Sequence, residues 1–244
     1  DHQSTEDGSM LDNALLIGVP LVGAGLLATL LLALLHRHRR RQEQHRPAGF
    51  RPPRQASPTI ETDLRVVAQP LAVDRLDHAL RALAAGLADH PADQMPDIVG
   101  ACLIADTVTL ILTHPCPTPP APWISDQLTW SLPGDLPLPE PDGCLAPLPT
   151  LVAVGSQPGT HLLLDLERLG LLAITGDPGR AGDLLRYLTV ELACNTWSDH
   201  VEVTIAGFDA TETEQLIAIG GDRIDAAAST PAAIDRIRRR AHQV

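Results

Sequence analysis

Residues 176–183, GDPGRAGD, sit between an apolar run, LLAIT, and a helix-forming run, LLRYLTVELA. That is where a strand would turn into a helix and where a phosphate-binding loop would form. A working loop of this kind reads G-x-x-x-x-G-K-[ST]: consecutive backbone N–H groups surround the phosphates, the lysine reaches the β and γ oxygens, and the hydroxyl holds magnesium. Here Ala181 stands where the second glycine belongs, and Gly182 and Asp183 replace the lysine and the hydroxyl residue. Pro178 removes an N–H donor, Asp183 opposes a phosphate's charge, and Arg180 places its cation inside the loop. Gly176, Asp177, Pro178, Gly179 and Arg180 therefore read as a vestigial nucleotide loop. Asp209 ends VEVTIAGFD, one strand later, where a magnesium-binding carboxylate would lie, and completes that set. With no loop hydroxyl to share a metal, Asp209 reads as a turn residue. Asp177 followed by Pro178 reads as an N-cap and first helical residue, which needs no ligand.

Other chemistry is thinner. The chain contains no lysine, so its 18 basic residues are all Arg and every lysine-dependent mechanism is excluded. Gly155, Ser156 and Gly159 do not form G-x-S-x-G. His78, His90, His114, His161 and His200 have no ligand-like spacing, and Cys102, Cys116, Cys144 and Cys194 have no paired spacing for zinc or redox chemistry. The expectation is a protein with no catalytic residue, no cofactor and no metal site.

The elements that would position these residues fall into segments. In 150–244 the runs LVAVGS, HLLLDLE, LLAIT, VEVTIAG and DRIDA alternate with helices through LLRYLTVELA, TETEQLIAI and from Pro231. Strand–helix–strand order implies parallel pairing through right-handed crossovers. The expectation is a mixed, largely parallel sheet, antiparallel only at its start, with a degenerate P-loop-like turn. Residues 58–113 read as a small helix and hairpin module. A helix over 73–89 puts Leu76, Leu80, Leu83 and Leu87 on one stripe, and DIVGACLI and TVTLILT are separated only by Ala105 and Asp106. Between them and the α/β segment, 114–149 holds 11 prolines in 36 residues, which argues against helix or central strand there. This stretch reads as an ordered connector that Trp123 and Trp130 pin onto a neighbour.

The N-terminal part has a different character. Residues 14–35 carry no charge over 22 positions. At about 1.5 Å per residue that length suits a bilayer core of about 30 Å. Acidic residues precede it in 1–13. Arg37, Arg39, Arg40 and Arg41 follow it, as a membrane-anchoring basic cluster at the head of a Pro-rich linker over 36–57. The expectation is a single-pass protein of the cell membrane, with a lipid bilayer as one partner, its N-terminus outside and its C-terminal domain cytoplasmic. Residues 55–244 carry 11 Arg against 25 Asp and Glu, which argues against broad nucleic-acid binding by this part.

The stretch from Leu151 to Phe208, with its DLE, TGDP, ELA, W-S-D-H-V-E-V and GF motifs, resembles the cytoplasmic, ATPase-like region of actinobacterial membrane-anchored transcriptional regulators. Those proteins combine a lysin-motif domain with a bacterial transcriptional activator domain. The resemblance implies a non-catalytic regulatory or scaffolding role that couples the membrane to a protein partner or downstream effector. DNA would be contacted only through a region outside this chain. The same stretch is also similar to degenerate ATPase-like modules of secretion and DNA-translocation assemblies, which is the alternative expectation.

Overall fold

The computed structural model describes residues 28–29, 31–33, 70–91, 94–138, 143–157 and 160–241. Helix α1, Pro70–Leu87, forms where proline can occupy the first turn and where the leucine stripe runs to Leu87. Its Val73, Leu76, Ala79, Leu80, Leu83 and Leu87 are all buried. They pack on one face of a sheet built from β1 (Ile98–Ile104), β2 (Thr107–Leu112), β3 (Ile124–Asp126), β4 (Thr129–Leu132), β5 (Leu151–Gln157) and β6 (Thr160–Asp165). In β2 every second residue, Val108, Leu110 and Leu112, points into this core, the alternation expected of a sheet covered on one side. Full burial of each leucine contributes about 2 kcal/mol.

The sheet order is β3-β4-β2-β1-β6-β5, and every pairing in it is antiparallel. This corrects the expected largely parallel fold. The physical reason is connectivity: β1–β2, β3–β4 and β5–β6 are three pairs of consecutive strands, and a short connection joins neighbours only antiparallel. Parallel pairing is confined to a separate two-stranded sheet of β7 (Val203–Ile205) and β8 (Ile224–Ala226). The run LLAIT, expected as a strand, pairs with nothing described: residues 170–175 carry no strand and Leu171 is 87 % exposed.

The proline-rich stretch contributes β3 and β4, and β4 lies inside the sheet between β3 and β2. Residues 123–132 contain no proline, so this hairpin keeps all its N–H donors. Trp123 and Trp130 are buried in the first core, and the Trp130 indole donates to the Cys116 carbonyl at 2.7 Å.

After β6 the chain forms a one-turn helix α2 (Leu166–Leu169) and then α3 (Pro178–Cys194). Helix α4 (Ala210–Gly220) links β7 to β8, and α5 (Thr230–Ala241) follows β8. Val190 and Ala193 of α3, Ile205 of β7, Leu216 of α4 and Ile224 of β8 make a second, smaller core.

The expected single-pass placement in a cell membrane, with its cytoplasmic domain, is also corrected. No helix among the described residues is long and apolar enough to cross a membrane. Of the run 14–35, the described residues 28–29 and 31–33 are helical. Ala28 and Thr29 are buried and Leu31 packs on the second core, so these side chains face protein. The remainder of the run, and Arg37, Arg39, Arg40 and Arg41, lie outside the described residues.

Candidate functional site

Asp177 is the N-cap of α3: its side chain accepts the Arg180 N–H at 2.9 Å, and Pro178 opens the helix. Gly176 precedes it at φ +118°, a value that glycine adopts without strain. The positive end of the α3 dipole is thus already faced by a carboxylate, which a phosphate would have to displace. Gly179 and Arg180 lie exposed on the first turn.

Asp209 is the N-cap of α4 and closes a capping box. It accepts the Glu212 N–H at 2.8 Å, while the Glu212 carboxylate accepts the Asp209 N–H at 3.3 Å. The Arg186 guanidinium ties this end of α4 to α3, donating to Glu212 and, at 2.8 Å, to Asp183. The two acidic caps therefore start neighbouring helices, and each oxygen accounted for serves the backbone or Arg186. Among the described residues, no group of three or more His, Cys, Asp or Glu is arranged to hold a metal ion. The acidic pair after β6 divides its roles: Asp165 caps α2 from a buried position and Glu167 lies exposed within it.

The densest polar arrangement lies in 187–199, along the C-terminal half of α3 and the turn beyond it. Glu191 is fully buried, and both its oxygens approach the Ala153 N–H of β5, at 3.0 and 3.1 Å. Burial pushes its carboxyl up to about 8, only partly offset by the Ala153 N–H and by the Tyr187 hydroxyl. Glu191 is therefore an uncharged acid at neutral pH. Burial, and next the charge of Glu191, pushes the Tyr187 phenol upward as well. The Asn195 amide and the Trp197 indole both donate to the Leu151 carbonyl, at 3.2 and 2.9 Å. Cys194 is held up to about 11 by burial, so its thiol is not a nucleophile at neutral pH.

Asp199 forms a second knot. It accepts from Arg81 of α1 at 2.9 Å and from the Ala146 N–H at 2.9 Å. Arg81 also reaches the Cys144 and Thr196 carbonyls, both at 2.8 Å, and Asp77 at 3.1 Å. Burial raises the Asp199 carboxyl, but Arg81 and the Ala146 N–H outweigh it and hold the group below its ordinary value. From the other side Arg223 donates to the Ala193, Asn195 and Asp199 carbonyls.

A third group, at the sheet's end, superficially resembles a nucleophile with its base. Thr113 Oγ1 lies 2.8 Å from His114 Nδ1 and 2.5 Å from Asp97 Oδ2. Asp97 approaches the same His114 nitrogen as the hydroxyl does, at 3.9 Å, so it cannot orient the ring from the far side as a relay requires. Arg168 and Thr113 together hold the Asp97 carboxyl below its usual range.

No family model, curated protein or solved structure matches this chain. What the site can do is therefore judged from its own geometry. The sequence-identified loop residues form the N-cap and first turn of α3, and Asp209 is the N-cap of α4. The residues missed by sequence reasoning, Glu191, Asn195, Trp197, Asp199, Arg81 and Arg223, fasten α3 and the turn after it to the antiparallel sheet and to α1. The available signal was Tyr187, Glu191 and Asn195 recurring every four residues along α3 and onto its C-cap, an acid in line with an aromatic residue.

Proposed function

We propose that this chain is a non-catalytic scaffolding or regulatory module that acts by contact with a protein partner or a downstream domain. The observation that carries this reading is the commitment of the candidate loop: Asp177 caps α3, Asp209 and Glu212 cap α4 reciprocally, and Arg186 bridges Asp183 and Glu212. A phosphate would meet a carboxylate at the helix terminus, and each cap would have to break to release an N–H group. The motifs between Leu151 and Phe208 that resemble the ATPase-like region of transcriptional regulators support the same reading.

The test is titration of the full chain with Mg-ATP, read by calorimetry and by phosphate release. The expected result is no saturable binding near micromolar concentrations and no hydrolysis. Saturable, magnesium-dependent binding that disappears in Asp209→Ala would overturn the proposal in favour of a divergent nucleotide-binding module.

A further inference from the structure

The pairings of the six-stranded sheet fix which side chains lie on its far face, away from α1. Leu162 of β6 stands beside Cys102 of β1, Cys102 beside Thr109 of β2, Thr109 beside Ser131 of β4, and Ser131 beside Ile124 of β3. These five residues make a row across the sheet, tied near its middle by the Thr109 and Ser131 hydroxyls, 3.2 Å apart. From β6 to β3 no side chain described on this face is buried, whereas Leu103, Leu110, Trp130 and Leu163 on the core face are. Ile104, Ile124 and Leu162 are 49 %, 55 % and 38 % exposed. An antiparallel sheet with one face in water normally turns polar side chains outward. Clustered aliphatic groups there are characteristic of a surface that meets another surface.

Charge indicates what that second surface is. The chain carries a net charge of −12, so two copies repel each other in most orientations. The far face is the exception. The charged residue on it, among those described from β6 to β3, is Asp126, at a corner on the outermost strand, β3. A face without charge gives no hold to a basic or an acidic partner, and it is where two acidic molecules approach at least electrostatic cost.

Symmetry points the same way. A two-fold interface brings the same patch of both copies together, so the patch must be complementary to itself. Read from either end, the row is an aliphatic residue, a small side chain, Thr109, a small side chain and an aliphatic residue. A two-fold axis running along the strands over Thr109 sets Leu162 against Ile124 of the partner subunit at both ends, with Cys102 against Ser131 of the partner subunit between them. The strands from β6 to β3 outline about 400 Å² at about 3.4 Å per residue and about 4.8 Å per strand. Side-chain relief adds to this, so two faces together reach about 1,000 Å², where specific but weak interfaces begin.

We propose that the far face of the six-stranded sheet is the interface of a symmetric dimer, in which two copies of this chain pack sheet on sheet, about 10 Å apart, with their strands aligned. Association withdraws Ile104, Ile124 and Leu162 from water and leaves every described residue where it stands. An interface of this size gives a reversible dimer that dissociates in the micromolar range. The inference goes beyond the scaffolding role and is independent of whether the candidate loop binds nucleotide.

Sedimentation equilibrium of the full chain from about 1 to about 500 µM tests it, with a monomer–dimer equilibrium expected and dimers dominant at the upper end. Leu162→Glu and Ile124→Arg each set a charge against an aliphatic side chain and should raise the dissociation constant about tenfold or more. An equimolar mixture of the two variants should regain dimers, because the glutamate of one copy then faces the arginine of the other. Thr109→Arg opposes two cations on the axis, should give monomers, and stands in where either variant fails to fold. Ile237→Glu, on α5, should leave the constant unchanged. A parent chain still monomeric at the highest concentration would overturn the proposal. So would dimers that survive the far-face substitutions, dimers lost in Ile237→Glu, or a mixture that restores none.

Discussion

The buried Glu191 makes the stability of this protein depend on pH in a direction opposite to that of an ordinary surface acid. In the folded chain its carboxyl sits at about 8, whereas an unburied Glu titrates near 4.5. Between those values the folded state keeps a proton that the unfolded state has released. Its contribution is therefore complete below about 4.5, shrinks as pH rises, and is gone once pH passes about 8. Each pH unit inside that window removes about 1.4 kcal/mol, so the whole window amounts to about 5 kcal/mol. That is a large share of the stability of a typical domain, about 5–15 kcal/mol. Glu191→Gln is the matching perturbation. The amide oxygen can still accept from the Ala153 N–H and the side chain stays nearly isosteric, but nothing ionises. Urea unfolding of the full chain and of Glu191→Gln, at unit steps from pH 5 to 9, should give two profiles that diverge. The variant gains on the parent by about 1.4 kcal/mol per unit until about pH 8 and runs parallel above it. Profiles that stay parallel across pH 5 to 8, within about 0.3 kcal/mol per unit, would refute an uncharged buried Glu191.

Arg81→Met removes the donor shared by Asp199 and the Cys144 and Thr196 carbonyls, leaving a half-buried carboxylate without its cation. A loss of about 2 kcal/mol is expected in chemical denaturation, less than for a wholly buried pair, and a loss below about 0.5 kcal/mol would mean that Asp199 finds another partner. Asp209→Ala breaks the capping box of α4 and should cost about 1 kcal/mol, read as a shift in the urea midpoint with no change in slope. Gly100→Ala would place a Cβ 2.4 Å from the Leu163 carbonyl oxygen, across the β1–β6 pairing. Backbone cannot yield there as a flexible side chain could, so a loss of about 3 kcal/mol is expected, and a variant as stable as the parent would show that the two strands can separate cheaply.

The elements that were legible in the sequence are those whose signals are local. The leucine stripe of α1, the hairpin around Ala105 and Asp106, the Asp177 cap before Pro178 and the helix opened by Thr230 and Pro231 all depend on residues within one or two turns of each other. The sheet order was not local in this sense. Pairing of Gly100 with Leu164 brings together residues whose individual preferences say only that both favour strands. The run LLAIT has strand-like composition and no strand, because composition records a preference and pairing needs a neighbour. The β3–β4 hairpin was hidden by averaging proline over the whole of 114–149, when the ten residues from Trp123 to Leu132 hold none. The 14–35 run is apolar enough to suit lipid by length alone, but its described residues show that an apolar surface of protein satisfies the same preference. Glu191 was illegible for a further reason: its chemistry arises only when β5 presents the Ala153 N–H to it.

The contacts from α3 to β5 have a consequence for association. Strand β5 is the last strand of its sheet, and an outer strand normally offers its free N–H and C=O groups as a template for another chain. Here the Ala153 N–H is taken by Glu191, the Leu151 carbonyl by Asn195 and Trp197, and the Leu151 N–H by the Leu148 carbonyl. A β-bulge between Ala153 and Gly155 interrupts the regular spacing that an incoming strand would have to match. Side chains of α3 and of the turn after it, with the Leu148 carbonyl, thus occupy positions that another backbone would otherwise bond, and these positions are closed to an incoming strand.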